Sequence, residues 1–262
     1  MLLKDQVDAP AHPDTTVDAR EVARFQSLAE EWWKPAGKFG PVHDFNSARF
    51  DYIIDRAAGH FRRQPSGGGA LAGLDVLDVG CGAGLLCEPL AARGARLVGI
   101  DAASRNVGIA RAHAARGGLS IEYRHCLASD IVAEDRRFDV VLNTEVIEHV
   151  ADPAQLMADC AALVKPGGLL VVATLNRTFR SLLLGIVAAE YVLRWLPRGT
   201  HDWRRFVTPD EVRGMLENTG LSPIDLRGVT LNPLTRRWRL SGDTSVNYML
   251  QAHRPSGAAP AP

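Results

Sequence analysis

The sequence has no excess of either charge. Its 262 residues contain 30 Lys and Arg against 30 Asp and Glu, so the formal net charge is zero. A nucleic-acid-binding protein uses a basic surplus to attract phosphate groups, and that surplus is absent here. We therefore expect no nucleic acid among the partners of this protein.

Cysteines are few, and long hydrophobic runs are lacking. The four cysteines form no CxxC pair, which argues against a disulfide framework and a cysteine-based zinc site. The first residues are too polar for the apolar part of a secretory signal. The longest apolar run, 182–196, is interrupted by Glu190 and Arg194 and is shorter than the roughly 20 residues of a membrane-spanning helix. We expect a cytoplasmic protein.

Short apolar runs alternate with helix-length segments through most of the chain, and 46% of all residues are hydrophobic. This alternation predicts βαβ units and a parallel sheet. We expect strands at 74–79, 96–100, 120–124, 138–142, 168–174, 222–230 and 244–252, and helices at 84–93, 104–116, 153–164 and 209–219. The predicted fold class is α/β, with a doubly wound, mostly parallel, seven-stranded sheet.

The regions outside this alternation differ in composition. We expect a flexible leader at 1–17 and a helical N-terminal cap at 18–63, with helices near 18–33 and 47–61. A glycine-rich linker at 64–70 then leads into the main domain at 71–253. The Pro- and Ala-rich residues 254–262 can bury almost nothing, so they are predicted to be a disordered tail.

A glycine-rich turn follows the first predicted strand. The sequence GCGAG places Gly80, Gly82 and Gly84 at the sheet edge where ligands of open α/β folds bind. The third glycine comes two positions after the second, whereas the dinucleotide fingerprint requires three. Asp101 ends the next strand, where a carboxylate accepts hydrogen bonds from both hydroxyls of a ribose. These residues predict a nucleoside cofactor and favour a nicotinamide cofactor less.

Two carboxylates and an imidazole follow the fourth strand. If EVIEH is helical, Glu145, Glu148 and His149 share one face. Such a set suits Mg²⁺ or another divalent ion, which would help an aromatic hydroxyl with a pKa near 10 to ionise. The alternative is that Glu145 caps a helix and the other two side chains are solvated. Thr144, at the end of the strand, is placed to touch the cofactor.

DVGCGAG and GID resemble the cofactor motifs of class I S-adenosylmethionine-dependent methyltransferases. Further segments, among them EWWKPAGKFGPVHDFNSARF, VIEHVADP, LNPLTRRW and VNYML, resemble the bifunctional O-methyltransferases of ubiquinone biosynthesis. The resemblance implies a Rossmann-like methyltransferase sheet with a helical N-terminal extension. It also implies an enzyme that transfers methyl groups from S-adenosylmethionine to aromatic hydroxyls of polyprenylated catechol and ubiquinol precursors.

The resemblance also implies roles for individual residues. It assigns cofactor contacts to Arg49, Gly80, Gly82, Asp101 and Thr144, catalysis to Glu145 and His149, and a Mg²⁺ or similar ion to Glu145, Glu148 and His149. Asp78 would face the ammonium group of the cofactor. His201 and Asp202 are secondary candidates for the acceptor pocket, although a helix cap explains an Asp there equally well.

The acceptor of this family carries a long isoprenoid tail. Residues 182–196 are therefore expected either to contact the inner face of the cytoplasmic membrane peripherally or to form an apolar lid packed on the sheet. A larger biosynthetic assembly is a further expected partner. Two other function classes stay open: a methyltransferase for another small molecule and an inactive lipid- or cofactor-binding module. The intact set of Gly80, Asp101 and Glu145 favours an active enzyme.

Overall fold

A computed structural model describes residues 16–34, 40–65, 68–184, 202–232, 235 and 237–257. The strands are β1 (Asp75–Val79), β2 (Arg96–Asp101), β3 (Glu122–His125), β4 (Phe138–Thr144), β5 (Val164–Leu175), β6 (Ser222–Asn232), β7 (Arg237–Ser241) and β8 (Asn247–His253). The α-helices are α1 (Ala19–Leu28), α2 (Gly40–His60), α3 (Cys87–Ala91), α4 (Ser104–Arg116), α5 (Ala128–Ala133), α6 (Pro153–Ala162), α7 (Phe179–Ser181) and α8 (Pro209–Leu216).

All eight strands form one sheet in the order β3-β2-β1-β4-β5-β8-β6-β7. β1 to β5 pair in parallel, whereas β8 runs antiparallel to β5 and to β6. This arrangement confirms the predicted α/β class with a mostly parallel core. It also brings the carboxyl ends of β1, β2 and β4 to the same edge of the sheet, where their polar residues meet.

The described part of the chain forms eight strands, one more than the seven predicted. The additional strand is β7, which pairs antiparallel with β6 and places Trp238 opposite Leu231. The sequence of β7 contains no hydrophobic run, because Arg237 and Arg239 are exposed and an edge strand needs apolar contacts on one face only. Charged residues on such an edge also discourage pairing with a second sheet.

Several helix boundaries follow from local signals. α6 begins where predicted, because the Asp152 side chain accepts a hydrogen bond from the Gln155 amide at 3.0 Å and Pro153 occupies the first turn. α4 spans the predicted residues 104–116. α2 begins at Gly40, well before the predicted residue 47, and α3 is shorter than predicted. α5 was not predicted at all.

Apolar side chains fill both faces of the sheet. On one face, Tyr52 and Ile53 of α2 join the core formed with β1 and β4, so α2 packs directly on the sheet. On the other face, α6 and α8 bury side chains such as Met157 and Val212. Within the described residues, no helix is long and apolar enough to cross a membrane. Because apolar side chains fill both faces of the sheet, the polar side chains of the cavity lie at the carboxyl ends of its strands.

Gly228 is expected to be irreplaceable in the β6 strand. A Cβ atom at this position would lie 1.8 Å from the backbone oxygen of Asp243, and no rotamer change can relieve a clash with backbone. We expect Gly228→Ala to lower the free energy of unfolding by about 1–3 kcal/mol or more. The matched control is Gly59→Ala on α2, where a Cβ meets nothing within 4 Å and should stabilise the helix by about 0.5–1 kcal/mol. Urea unfolding of both variants checks this pair, and equal midpoints would contradict it.

Candidate active site

A cavity of about 630 Å³ opens at the carboxyl ends of the strands. Seven of the residues predicted for the site line it: Arg49, Gly80, Gly82, Asp101, Thr144, Glu145 and His149. The eighth, Glu148, lies behind the lining and is buried, with 2% of its surface exposed. The topology thus brings together residues that are distant in sequence, because β1, β2 and β4 end side by side and α2, packed on one face of the sheet, carries Arg49 to this edge.

The glycine turn requires its glycines for two different reasons. Gly80 and Gly82 both have left-handed backbone angles, with φ of +75° and +54°. A Cβ on Gly80 would also lie 2.2 Å from a methyl group of Val146, which follows β4. A side chain at Gly80 would therefore push apart two of the loops that form the cavity wall.

Asp101 is oriented by a ring of donors. Its Oδ2 accepts a hydrogen bond from the Gly82 amide at 2.9 Å, and its Oδ1 accepts one from the Ala103 amide at 2.7 Å. The side chain of Asn106 donates to Oδ1 at 3.3 Å. Burial raises the pKa of Asp101, while these donors act in the opposite direction. The glycine turn and the acidic residue after β2 are thus one hydrogen-bonded unit.

Asp78 is a buried carboxyl group with an unsatisfied oxygen. Its Oδ2 accepts a hydrogen bond from the Cys87 thiol at 3.3 Å, whereas its Oδ1 has no hydrogen-bond partner. Burial raises the pKa of this carboxyl from about 3.8 to about 7. Because Asp78 also lines the cavity, its free oxygen suits a cationic or hydrogen-bond-donating group of a ligand.

Arg49 is the buried cation at the centre of the site, with 4% of its surface exposed. It reaches from α2 to Glu145, with Nη2 at 2.5 Å from Oε1, and donates from Nη1 to Asn46 at 2.8 Å. The guanidinium group also stacks over the ring of Phe45, 4.1 Å from its centroid. Burial lowers the pKa of Arg49, while Glu145, Glu148 and Asp78 oppose that shift.

The predicted helical face for the EVIEH segment is wrong. Glu145 has a left-handed backbone with φ of +56°, and residues 147–149 form only a short 3-10 turn. The Glu145 amide donates to the Ala173 carbonyl on β5 at 2.8 Å, which continues the sheet contact past the end of β4. This contact and the Arg49 ion pair hold a conformation that is costly for a residue with a Cβ.

The three residues assigned to a metal do not form one ligand set: His149 Nε2 lies 3.9 Å from Glu148 Oε1, whereas Glu145 is paired with Arg49. The Thr174 hydroxyl donates to Glu148 Oε2 at 2.8 Å, and His149 Nδ1 lies 3.0 Å from Glu21 on α1. Burial, followed by the neighbouring Glu145, raises the pKa of Glu148 well above its usual range. No group of three or more potential ligands is arranged to hold a metal ion among the residues that the structure describes.

Sequence reasoning missed Trp32. Its indole Nε1 donates to Asn106 Oδ1 at 3.2 Å, so Trp32 acts through Asn106 on Asp101. The ring covers the turn, since a Cβ on Gly82 would lie 3.2 Å from it. The neighbouring Trp33 stacks on His113 of α4, with the ring centroids 3.5 Å apart. The EWW motif at 31–33 indicates this residue, but only through the family resemblance and not through a local pattern.

Among the other candidates, Asp202 does not line the cavity, whereas Leu184 of the 182–196 segment does. Asp202 accepts a hydrogen bond from the Arg204 amide at 3.0 Å and caps a short turn, which is the alternative considered above. His201 lies outside the described residues, as does the greater part of 182–196. Of that segment, Leu182, Leu183 and Leu184 are described: Leu182 packs against the cluster of Leu175 and Phe206, and the other two are exposed.

The chain matches known proteins over nearly its whole length. A family model described as a methyltransferase domain matches residues 45–226. A ubiquinone biosynthesis O-methyltransferase of Chelativorans sp. (strain BNC1) is 51% identical over 245 residues, covering 94% of this chain and 97% of the relative. Another protein of that name, from Sinorhizobium medicae (strain WSM419), is 52% identical and covers 92% of this chain and 97% of the relative.

Solved structures of more distant proteins share the fold. Magnesium protoporphyrin IX methyltransferase from Synechocystis PCC 6803, determined with bound SAH, has a TM-score of 0.56 at 18% identity, covering 92% of this chain and 90% of that protein. A SAM-dependent methyltransferase from Thermotoga maritima has a TM-score of 0.57 at 18% identity, with coverage of 90% and 98%. At such low identity, the likeness concerns the class I methyltransferase fold alone.

The buried Asp78 carboxyl should make the protein less stable as the pH rises. Between about pH 4 and pH 7 the folded protein holds a proton on Asp78 that the unfolded chain has released, so the free energy of unfolding falls with increasing pH. Asp78→Asn carries no such proton. We expect the stability of this variant relative to the wild type to increase by about 2–3 kcal/mol between pH 5 and pH 8.

Urea unfolding of wild type and variant at several pH values measures this difference. Asp51→Asn is the matched control, because Asp51 is exposed on α2. Its stability relative to the wild type should stay nearly constant over the same pH range. A constant difference for Asp78→Asn as well would contradict the role assigned to the buried carboxyl.

Proposed function

The chain belongs to the ubiquinone biosynthesis O-methyltransferase family, and on that premise we propose that it methylates aromatic hydroxyl groups of polyprenylated quinone precursors, with S-adenosylmethionine as methyl donor. Identity near 50% over more than nine-tenths of the chain carries the proposal. Both O-methylations of the pathway use the same chemistry, a methyl group placed on an aromatic oxygen. One site can therefore serve both acceptors.

The described residues fit the methyl donor. Asp101 lines the cavity at the end of β2, where its carboxylate can accept hydrogen bonds from ribose hydroxyls. The unpartnered Oδ1 of Asp78 suits the ammonium group, and the Nε of Arg49 is a buried donor without a partner. We assign the carboxylate of the donor to Arg49, since a guanidinium group can hold two oxygens at once. Gly80, Gly82 and Thr144 complete the contacts.

The bound donor supplies an electrophilic methyl group on a sulfonium ion. In the reaction the acceptor oxygen forms a bond to this carbon, the bond from carbon to sulfur breaks, and the hydroxyl proton leaves. Glu145 stands in the cavity with 27% of its side chain exposed, and its carboxylate is placed to take that proton. His149 beside it is oriented by Glu21 and is the second group for proton transfer. In-line positioning of oxygen, carbon and sulfur supplies much of the rate.

A divalent cation remains a prediction from the resemblance. The side chains of Glu145, Glu148 and His149 do not fit an ion as they stand, because Glu145 is paired with Arg49, Glu148 with Thr174 and His149 with Glu21. We therefore assign no step of the reaction to a metal. Proton removal by Glu145 requires only the residues already in the cavity.

Replacing the carboxylate of Glu145 should remove most of the activity. We expect Glu145→Gln to lower turnover by about 10²- to 10⁴-fold with little change in donor affinity, since the amide keeps the shape of the side chain but accepts no proton. The measurement is methyl transfer to a short-tailed catechol or demethylubiquinol, together with calorimetric titration of S-adenosylmethionine.

The control is Glu217→Gln, because Glu217 is exposed at the end of α8 and should leave turnover unchanged. A wild-type protein that methylates neither acceptor would refute the proposed function, and full turnover by Glu145→Gln would refute the role of that residue. The same assay with a chelator, and then with added Mg²⁺, tests the predicted cation. Turnover that is lost with the chelator and restored by Mg²⁺ would support a role for the cation.

Peripheral contact with a membrane is part of the proposal, because the acceptor is a lipid. Leu184 lines the cavity and exposes 51% of its surface, and Phe179, which precedes the cavity-lining Arg180, exposes 69%. Exposed apolar side chains at that place favour contact with an apolar surface. A packed lid is the alternative for the rest of 182–196.

Liposome flotation distinguishes these alternatives. We expect the wild type to float with anionic liposomes, and Phe179→Asp with Leu184→Asp to reduce the bound fraction several-fold, because each charge must be desolvated at the interface. Ile224→Asp is the control, since Ile224 is 49% exposed on β6 and does not line the cavity. Equal flotation of the double variant and the wild type would contradict membrane contact through this surface.

A further inference from the structure

The cavity extends beyond the residues assigned to the methyl donor. Its donor side is lined from the ends of β1 and β2, for example by Asp78 and Asp101. The opposite side is lined from β5, β6 and β7, by residues such as Leu175, Leu231 and Trp238. Because β4 lies between β1 and β5 in the sheet, Glu145 at its end stands between the two sides.

An aromatic wall closes the second side. The ring of Trp238 on β7 meets the ring of Phe45 on α2 edge to face, with the centroids 4.8 Å apart and an interplanar angle of 62°. Phe45 in turn lies under the Arg49 guanidinium. The wall is therefore connected by direct contacts to the ion pair of Arg49 and Glu145, and its position relative to Glu145 is set by packing.

Most of the side chains around this wall are apolar, and the two charged residues that line the same side are paired with each other, Arg180 donating to Asp243 at 2.9 Å. Val229 and Leu231 of β6 flank the aromatic wall. The amide side chain of Asn247 is bonded to the backbone N–H and C=O of Val229 at 2.8 and 3.0 Å, so its polar atoms are engaged. A sugar or another uncharged polar ligand would find few partners beside Val229, Leu231 and Trp238. A flat apolar ring would find shape and chemistry that match it.

We propose that Phe45, Val229, Leu231 and Trp238 form a chamber that binds the aromatic ring of the methyl acceptor. Within it, Trp238 is the residue that selects planar rings. The ring packs against the indole, which leaves its hydroxyl directed toward Glu145 and the donor side of the cavity. This inference rests on the proposed function, since it names the site of the acceptor in that reaction.

Binding of the acceptor can be measured without turnover. The protein saturated with S-adenosylhomocysteine is titrated calorimetrically with a catechol that carries one prenyl group. We expect Trp238→Ala to weaken catechol binding by about 10-fold or more, and Trp238→Phe to retain most of it, because an aromatic face accounts for the difference. Leu240→Ala, on the same strand but outside the cavity lining, should bind like the wild type. All variants should bind S-adenosylhomocysteine within about 2-fold of the wild type.

Selectivity gives an independent measure. The ratio of kcat/KM for the catechol over that for a polar phenol of similar size should fall in Trp238→Ala, with kcat for the catechol nearly retained and KM raised. Leu231→Trp places a large side chain in the chamber, directly opposite Trp238, so it should abolish catechol binding while binding of S-adenosylhomocysteine remains. This variant decides the matter if Trp238→Ala does not fold.

The outcomes separate this inference from the proposed function. Catechol binding by the wild type that depends on Trp238, without methylation, would support the chamber and refute the function. Methylation with the same acceptor affinity in wild type, Trp238→Ala and Leu231→Trp would refute the chamber and leave the function standing. Equal losses of catechol and S-adenosylhomocysteine binding in Trp238→Ala would also refute the chamber, because they would indicate a general structural role.

Discussion

The buried ion pair between Arg49 and Glu145 is the contact on which the rest of the site depends. A guanidinium group with 4% exposure is costly to bury without a carboxylate partner. The pair joins α2 to the residue that follows β4, and Asn46 and Phe45 complete the surroundings of the cation. Since Glu145 stands between the two sides of the cavity, this contact fixes the place of its carboxylate between them.

The N-terminal segment closes the cavity by a different kind of contact. α1 has no fully buried residue and is held mainly through its polar groups, with Glu21 on His149 and Asp18 on Arg205. After α1, Trp32 reaches Asn106 and so touches the hydrogen-bond ring around Asp101. Segments held by few apolar contacts open more readily than core elements. Since Asp18, Glu21 and Trp32 line the cavity or its turn, opening of this segment would give a ligand access to the cavity.

Local patterns were sufficient for a large part of the fold. The helix at 104–116 follows from Val107, Ala110 and Ala114 on one buried face. The sheet follows from the alternation of apolar runs, and the position of the cavity follows from the glycine turn with Asp101. The same reasoning missed β7, whose arginines face solvent, and gave the wrong geometry for Glu145, because no local signal favours φ of +56° for a glutamate.

The sequence by itself determined the class of fold, the sheet edge that carries the glycine turn and Asp101, and the family, because glycine positions, periodicity and motifs are properties of neighbouring residues. Only the tertiary structure decided which partner each charged group takes. Arg49 and Glu145 are 96 positions apart, and Phe45 and Trp238 come from opposite ends of the chain. Such contacts depend on how α2 packs across the sheet. That packing pairs Glu145 with Arg49 and brings Phe45 against Trp238. Neither contact can be predicted from the spacing of these residues along the chain.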